Sequence, residues 1–119
     1  MAKTFKEVIA WQKAHQLTLN IYQITNHFPD SEKFGLTSQM RRCSVSIPSN
    51  IAEGFKRHGY RDGMNFLNIS ETSLEELKYQ PLLSFDLHYI DQTTYDRITL
   101  AEDEVGRLIN GWKRSLLPK

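Results

Sequence analysis

Apolar residues recur along this chain at helical spacing. Phe5, Val8, Trp11, Ala14, Leu17, Ile21, Ile24 and Phe28 lie three or four apart, which places them on one face only in an α-helix. Pro29 disfavours helix at the residue before it and ends this stretch. Asp30 and Ser31 can cap the next helix, with Glu32 and Lys33 in its first turn and Gly35 breaking off a short lead-in. The stripe resumes with Leu36, Met40, Cys43, Ile47, Ile51 and Phe55. A glycine-rich, basic connection, KRHGYRDG, leads to Met64, Leu67, Ile69 or Ser70, Leu74, Leu77 and Leu82. After HYIDQTT a last stripe runs through Tyr95, Ile98, Ala101, Val105, Leu108, Ile109, Trp112 and Leu116. The predicted helices span about 4–27, 32–57, 61–89 and 93–115. Connections of roughly four to eight residues favour antiparallel neighbours. The expected fold is all-α, an antiparallel up-down-up-down four-helix bundle, with residues 1–119 as a single domain.

The second stripe is interrupted in an unusual way. Residues 38–57 read SQMRRCSVSIPSNIAEGFKR, with a proline in mid-helix and serines around it. Pro48 removes the N–H that would bond the Ser44 carbonyl, so a bend is expected there. A serine hydroxyl can compensate the backbone locally. The small residues Cys43, Ser44, Ser46, Ser49, Ala52 and Gly54 permit close approach of another helix, from this chain or another subunit. Gln39, Arg42, Ser46, Ser49, Asn50, Glu53 and Arg57 share one broad side. Arg41 and Arg42 point about 100° apart, so at least one borders the apolar stripe. That one would need an acidic partner if buried; Glu76 is favoured over Glu75 by its spacing with Thr72, Ser73 and Gln80. Arg42, Asn50, Glu53 and Glu76 are thus the expected structural polar network. Two ordinary solvated arginines are the plainer alternative.

Charge adds a second pattern. The net charge is only +1, but residues 31–61 carry +4, residues 62–104 carry −8 and residues 105–119 carry +4. Such a chain can present one basic and one acidic surface, or lay the opposite segments side by side. Cys43 is the single cysteine, which excludes an intrachain disulfide and a multi-cysteine zinc site. No apolar run suits a transmembrane helix and no secretory h-region opens the chain, so a cytoplasmic protein is expected.

Catalytic patterns do not emerge. A bundle di-iron site needs Glu-x-x-His pairs, and none of His15, His27, His58 and His88 has a glutamate three residues before it. Cys43, on the apolar stripe, reads as a small buried hydrophobe. Glu102-Asp103-Glu104 reads as a solvated face. No catalytic residue, metal ligand or cofactor motif is assigned, and a non-enzymatic role is expected. The nucleic-acid-binding candidates are Arg41, Arg42, Lys56, Arg57, His58, Tyr60 and Arg61, joined by Lys113, Arg114 and Lys119 if the chain end lies nearby. Basic side chains gain affinity by releasing counterions from phosphate, and Tyr60 could stack on an unpaired base.

The segments VIAWQKAHQLTLNIYQIT, FPDSEKFGLTSQMRRCSVSIPSNIAEGFKR and FLNISETSLEEL resemble the 23S rRNA intervening-sequence protein family. The resemblance covers residues 5 to about 90, and FGLTSQMRR…SIPSNIAEG is its most specific block. It implies a left-handed four-helix bundle, commonly a ring-like homopentamer, with no established enzymatic activity. A more distant relative with a similar bundle is a nucleic-acid-binding accessory of the reverse transcriptase in diversity-generating retroelements. Matching positions include Trp11, Gln12, Tyr22, Gly35, Gln39, Arg41, Arg42, Ser46, Asn50, Glu53, Gly54, Arg57, Ser73 and Glu76. Departures fall at Gly59, Gly63, Ser70-Glu71-Thr72 and Pro81. The two glycines should loosen the second connection and the start of the third helix, Pro81 should kink that helix, and close helix packing near residue 72 should suffer from these departures. The expected function is an oligomeric nucleic-acid-associated binding or adaptor protein, for RNA or DNA. The alternative is a protein–protein scaffold that binds no nucleic acid.

Overall fold

A computed structural model describes residues 2–57 and 59–117. Four helices run in succession: α1 (Ile9–Thr25), α2 (Leu36–Lys56), α3 (Tyr60–Asp86) and α4 (Gln92–Leu116). Short 3-10 turns at Phe5–Glu7 and Asp30–Glu32 precede α1 and α2, and the described residues contain no strand. Each helix packs on two others, α1 on α2 and α4, and α3 on α2 and α4. The result is the expected all-α four-helix bundle, 48 Å long and 25 × 21 Å in section.

The four stripes meet in one core. Ala14, Leu17 and Ile21 of α1, Met40, Ile47 and Ile51 of α2, Leu67 and Leu77 of α3, and Ile98, Val105 and Ile109 of α4 are almost wholly buried. Burial of each such side chain contributes roughly 1.5–3 kcal/mol. On α3 the inward set is Leu67, Ser70, Leu74, Leu77, Pro81 and Ser84. Its alternating steps of three and four keep helical phase, which turns Ile69 (47% exposed) and Leu82 (40% exposed) outward. Ser70 rather than Ile69 is therefore the inward residue, and Leu82 does not belong to the stripe.

Helix ends differ from the sequence expectation for local reasons. Val8 is extended, so the first stripe is split into a 3-10 turn and α1. The cap of α2 is neither Asp30 nor Ser31. Glu32 Oε1 accepts the Leu36 N–H at 3.1 Å, and Glu32 Oε2 accepts the Tyr89 hydroxyl at 2.9 Å. A carboxylate suits that place, beside the positive end of the helix dipole. Helix α3 stops at Asp86 in a Schellman motif. The Tyr89 N–H reaches the Ser84 carbonyl, the His88 N–H reaches the Phe85 carbonyl, and His88 takes a left-handed φ of 66°. Asp91 caps α4 by accepting the Thr94 N–H at 2.8 Å, and this bond lowers the Asp91 pKa.

The serines around Pro48 are a helix seam. Pro48 leaves the Ser44 carbonyl without a helical donor, and Thr18 of α1 supplies one from 2.9 Å. The Thr18 oxygen is also 3.1 Å from the Ala14 carbonyl, which already accepts a backbone N–H. On the opposite side, Ser70 of α3 donates to the Ile47 carbonyl at 2.9 Å, and Ser73 Oγ meets Ser46 Oγ at 2.8 Å. Helix α2 is thus bonded to both neighbours through short side chains. The departure at Ser70-Glu71-Thr72 leaves this packing closed, with Ser70 buried and Thr72 facing solvent. Gly63 does not loosen the start of α3. It is buried there, and a Cβ on Gly54 would stand 3.2 Å from the Gly63 carbonyl, so these glycines bring the two backbones together. Helix α3 continues through Pro81 without interruption.

Candidate nucleic-acid interface

The structure divides the candidate basic residues between two places. Arg41 and Arg42 lie in the first half of α2, and Lys56 and Arg57 lie at its end. Fifteen positions separate Arg42 from Arg57, about 22 Å at ~1.5 Å per residue. Thus the candidates do not form one patch.

Arg41 is the half-buried member of its pair, and Arg42 is exposed. Among the described residues Arg41 has no acidic partner. Its Nε donates to Thr25 Oγ1 at 2.8 Å and its Nη2 to Asn26 Oδ1 at 2.9 Å, while its guanidinium lies 4.6 Å from the Tyr22 ring centre. These groups close the C-terminal end of α1, where carbonyl dipoles favour a cation. Neutral acceptors, a ring face and the helix end replace the expected carboxylate. Arg41 fixes α1 to α2 and is occupied.

The expected network of Arg42, Asn50, Glu53 and Glu76 is not one network. Asn50 Nδ2 donates to the Ser46 carbonyl at 2.8 Å, and Glu53 accepts from Arg57 at 3.1 Å, one helical turn away. Arg42 and Glu76 face a common cleft but form no ion pair among the described residues. Both are exposed, so water solvates them and nothing compels pairing. The cleft, of about 320 Å³, has Gln39, Arg42 and Ser46 on the α2 side and Ser73, Glu76 and Gln80 on the α3 side. Cys43 lies beneath, its thiol 2.9 Å from the Ser73 carbonyl. Burial and the nearby Glu76 and Glu102 carboxyls push that thiol up to about 12. It stays protonated and is no nucleophile at neutral pH.

The other basic group gathers at one end of the bundle. Lys56, Arg57, Tyr60 and Arg61 are all exposed around the α2–α3 connection. Arg57 lies over the Phe66 ring at 4.7 Å. Beside it a cavity of about 330 Å³ is walled by Phe55, Tyr60, Trp112 and Leu116. The Phe55 and Trp112 rings are 6.3 Å apart. A second hollow of about 490 Å³ runs past Glu53, Lys56, Arg57 and Asp62. The C-terminal part of α4 does join this end. Arg114 and Lys113 line a hollow with Met64. Lys113 is committed to Glu71 and to Asn68 Oδ1, while Arg114 is exposed. His58 and Lys119 lie outside the described residues. The aromatic walls were hard to foresee, because Phe55 and Trp112 belong to apolar stripes and read as core; only their positions near helix ends distinguish them.

A correction concerns Glu102. The sequence places it on a solvated acidic face, but it is 2% exposed, and its Oε2 has no hydrogen-bond partner. Burial raises its pKa to about 8; Lys78 opposes that shift, and Asp103 and Glu75 add to it. Among the described residues, no three His, Cys, Asp or Glu side chains are grouped to hold a metal ion, and no helix is long and apolar enough to cross a membrane.

A solved structure of a protein with unknown function from the S23 ribosomal protein family of Bacteroides thetaiotaomicron VPI-5482 is similar in fold. The TM-score is 0.82 at 23% identity, covering 89% of this chain and 96% of that one. No curated protein matches the chain. The sequence profile described as 23S rRNA-intervening sequence protein matches residues 6–111. That span includes the second and third apolar stripes, most of the first and fourth, the seam around Pro48 and most of the basic end, and the chain belongs to the 23S rRNA-intervening sequence protein family.

Proposed function

We propose that this is a non-enzymatic nucleic-acid-associated binding or adaptor protein, and that the α2–α3 end of the bundle holds a single strand of RNA or DNA. The observation that carries this reading is that Arg57 lines one cavity with Tyr60 and Trp112, while Lys56, Arg61 and Arg114 are exposed at the neighbouring ends of α2, α3 and α4. Cations release counterions from phosphate, and exposed ring faces accept bases of any sequence. Glu53, Asp62 and Glu71 share this end and neutralise part of it, so one copy binds weakly. Assembly into a homo-oligomer, a pentamer by family resemblance, repeats the site and raises avidity.

The test is fluorescence anisotropy with a labelled single-stranded RNA at low and high salt, alongside light-scattering mass. Affinity should fall with salt. Arg57→Glu combined with Arg61→Glu should weaken binding by roughly ten-fold or more at low salt, by replacing attraction with repulsion. An intact helical protein that binds neither RNA nor DNA at low salt would overturn the proposal. The second reading is a protein–protein scaffold. It is favoured by Phe34 and Leu100, which are 90% and 70% exposed and stand apart from the basic end.

A further inference from the structure

The geometry points to a base-reading slot in the α2–α3 cleft, one that accepts the hydrogen-bonding edge of an unpaired guanine. This inference rests on the nucleic-acid reading but uses different residues. Gln80 is the first observation. It lines the cleft and is only 9% exposed, yet its Oε1 has no hydrogen-bond partner. Buried amide groups are ordinarily paired, and an unpaired one is disfavoured until something supplies the bond. Arg42 and Glu76 are the second. They bring opposite charges to the same cleft, and neither is in an ion pair among the described residues.

The lining decides the ligand. It contains no aromatic ring, and its one apolar side chain is Cys43, so an apolar ligand gains little. Glu76 repels a phosphate and Arg42 repels a bare cation. The cleft instead suits a neutral group carrying donors on one side and acceptors on the other. Guanine has that edge: N1–H and the N2 amino group lie side by side for a carboxylate, while O6 and N7 accept from a guanidinium. Adenine and cytosine would each set a ring lone pair beside the amino group that faces Glu76, and uracil offers one donor between two acceptors. Gln80 Oε1 is itself shut off from solvent, so the Gln80 side chain has to turn to bring its amide, which can accept or donate, to the same edge. A volume of about 320 Å³ holds a flat base. The ~22 Å between this cleft and the basic end is roughly six stacked nucleotides at ~3.4 Å each along one strand. A strand gripped at Arg57 can therefore reach the slot.

The experiment compares single-stranded RNAs, long enough to span that distance, with guanosine, inosine or adenosine at one position. Wild type should prefer guanosine over adenosine by roughly five- to hundred-fold, with inosine, which lacks the N2 amino group, between them. Glu76→Gln should abolish the preference, whereas Glu75→Gln, the same charge change one residue outside the cleft, should keep it. Equal binding of all three RNAs by wild type overturns the slot and leaves the proposed function standing. Loss of preference in both variants also overturns it, since net charge would then be the cause. If neither these RNAs nor the matching DNAs bind at low salt, the proposed function falls. Titration with guanosine and adenosine monophosphates, monitored by amide chemical shifts of Gln39, Ser73 and Gln80, then decides the slot. Guanosine-selective shifts there uphold it, and their absence overturns it too.

Discussion

The α2–α3 seam and the inner face of α4 both carry polar groups into the core, under opposite terms. At the seam, Ser70 and Ser73 each meet an acceptor on α2, and Thr18 covers the carbonyl that Pro48 leaves open. On α4, Glu102 is as buried as its apolar neighbours, but one of its oxygens meets nothing. The difference is not polarity but pairing. A satisfied buried hydroxyl contributes modestly and fixes register, whereas an unsatisfied carboxyl stays neutral or destabilises the fold.

The largest effect expected from this contrast is at Glu102. Its folded pKa of about 8 stands above the ordinary 4.5, so the folded state holds a proton that the unfolded chain has released. Stability from this group is complete below about pH 4.5 and is lost as pH rises towards about 8. Glu102→Gln removes the titration. It should be more stable than wild type at about pH 9, by on the order of 4 kcal/mol, with a flatter profile. Denaturant unfolding at several pH values measures this. Parallel profiles for the two proteins would show that Glu102 ionises freely.

A smaller effect tests the seam at Pro48. Thr18→Val removes the donor to the Ser44 carbonyl, which no backbone N–H can replace, and should cost about 2 kcal/mol. Pro48→Ala restores that N–H, so Thr18→Val should cost less in its background. A double-mutant cycle with no coupling would mean that Thr18 serves only its own helix. The smallest effect belongs to Ser70→Ala. The Ile47 carbonyl keeps the Ile51 N–H of the regular helix, so the loss should be about 1 kcal/mol. If Ser70→Ala cost more than Thr18→Val, the role assigned to Pro48 would be wrong.

How much of this was legible in the sequence depends on range. Four helices can be read from spacing alone, because a period near 3.6 is imposed by the backbone and needs no partner. Pro48 announced an orphaned carbonyl for the same reason. Its donor did not, since Thr18 lies 26 residues away in sequence. The basic residues were all visible, but a string of charges carries no distances, so the split between Arg42 and Arg57 came only with helix length. Arg41 shows the same limit: its satisfaction by Thr25, Asn26 and Tyr22 depends on where α1 ends against α2.

By itself the sequence determined the number of helices, their inward faces at most positions and the family, for these rest on local periodicity and on motif residues in order. The tertiary structure alone decided three further matters. Gly63 tightens the α2–α3 hairpin because it faces Gly54 rather than solvent. Glu102, whose spacing from Ile98 and Val105 already marks the inner face of α4, loses its water because α1 and α3 pack against that helix. Arg42, Glu76 and Gln80 share a cleft because antiparallel packing sets residues some thirty-five positions apart across from one another. Each depends on contacts between helices, which no local pattern encodes.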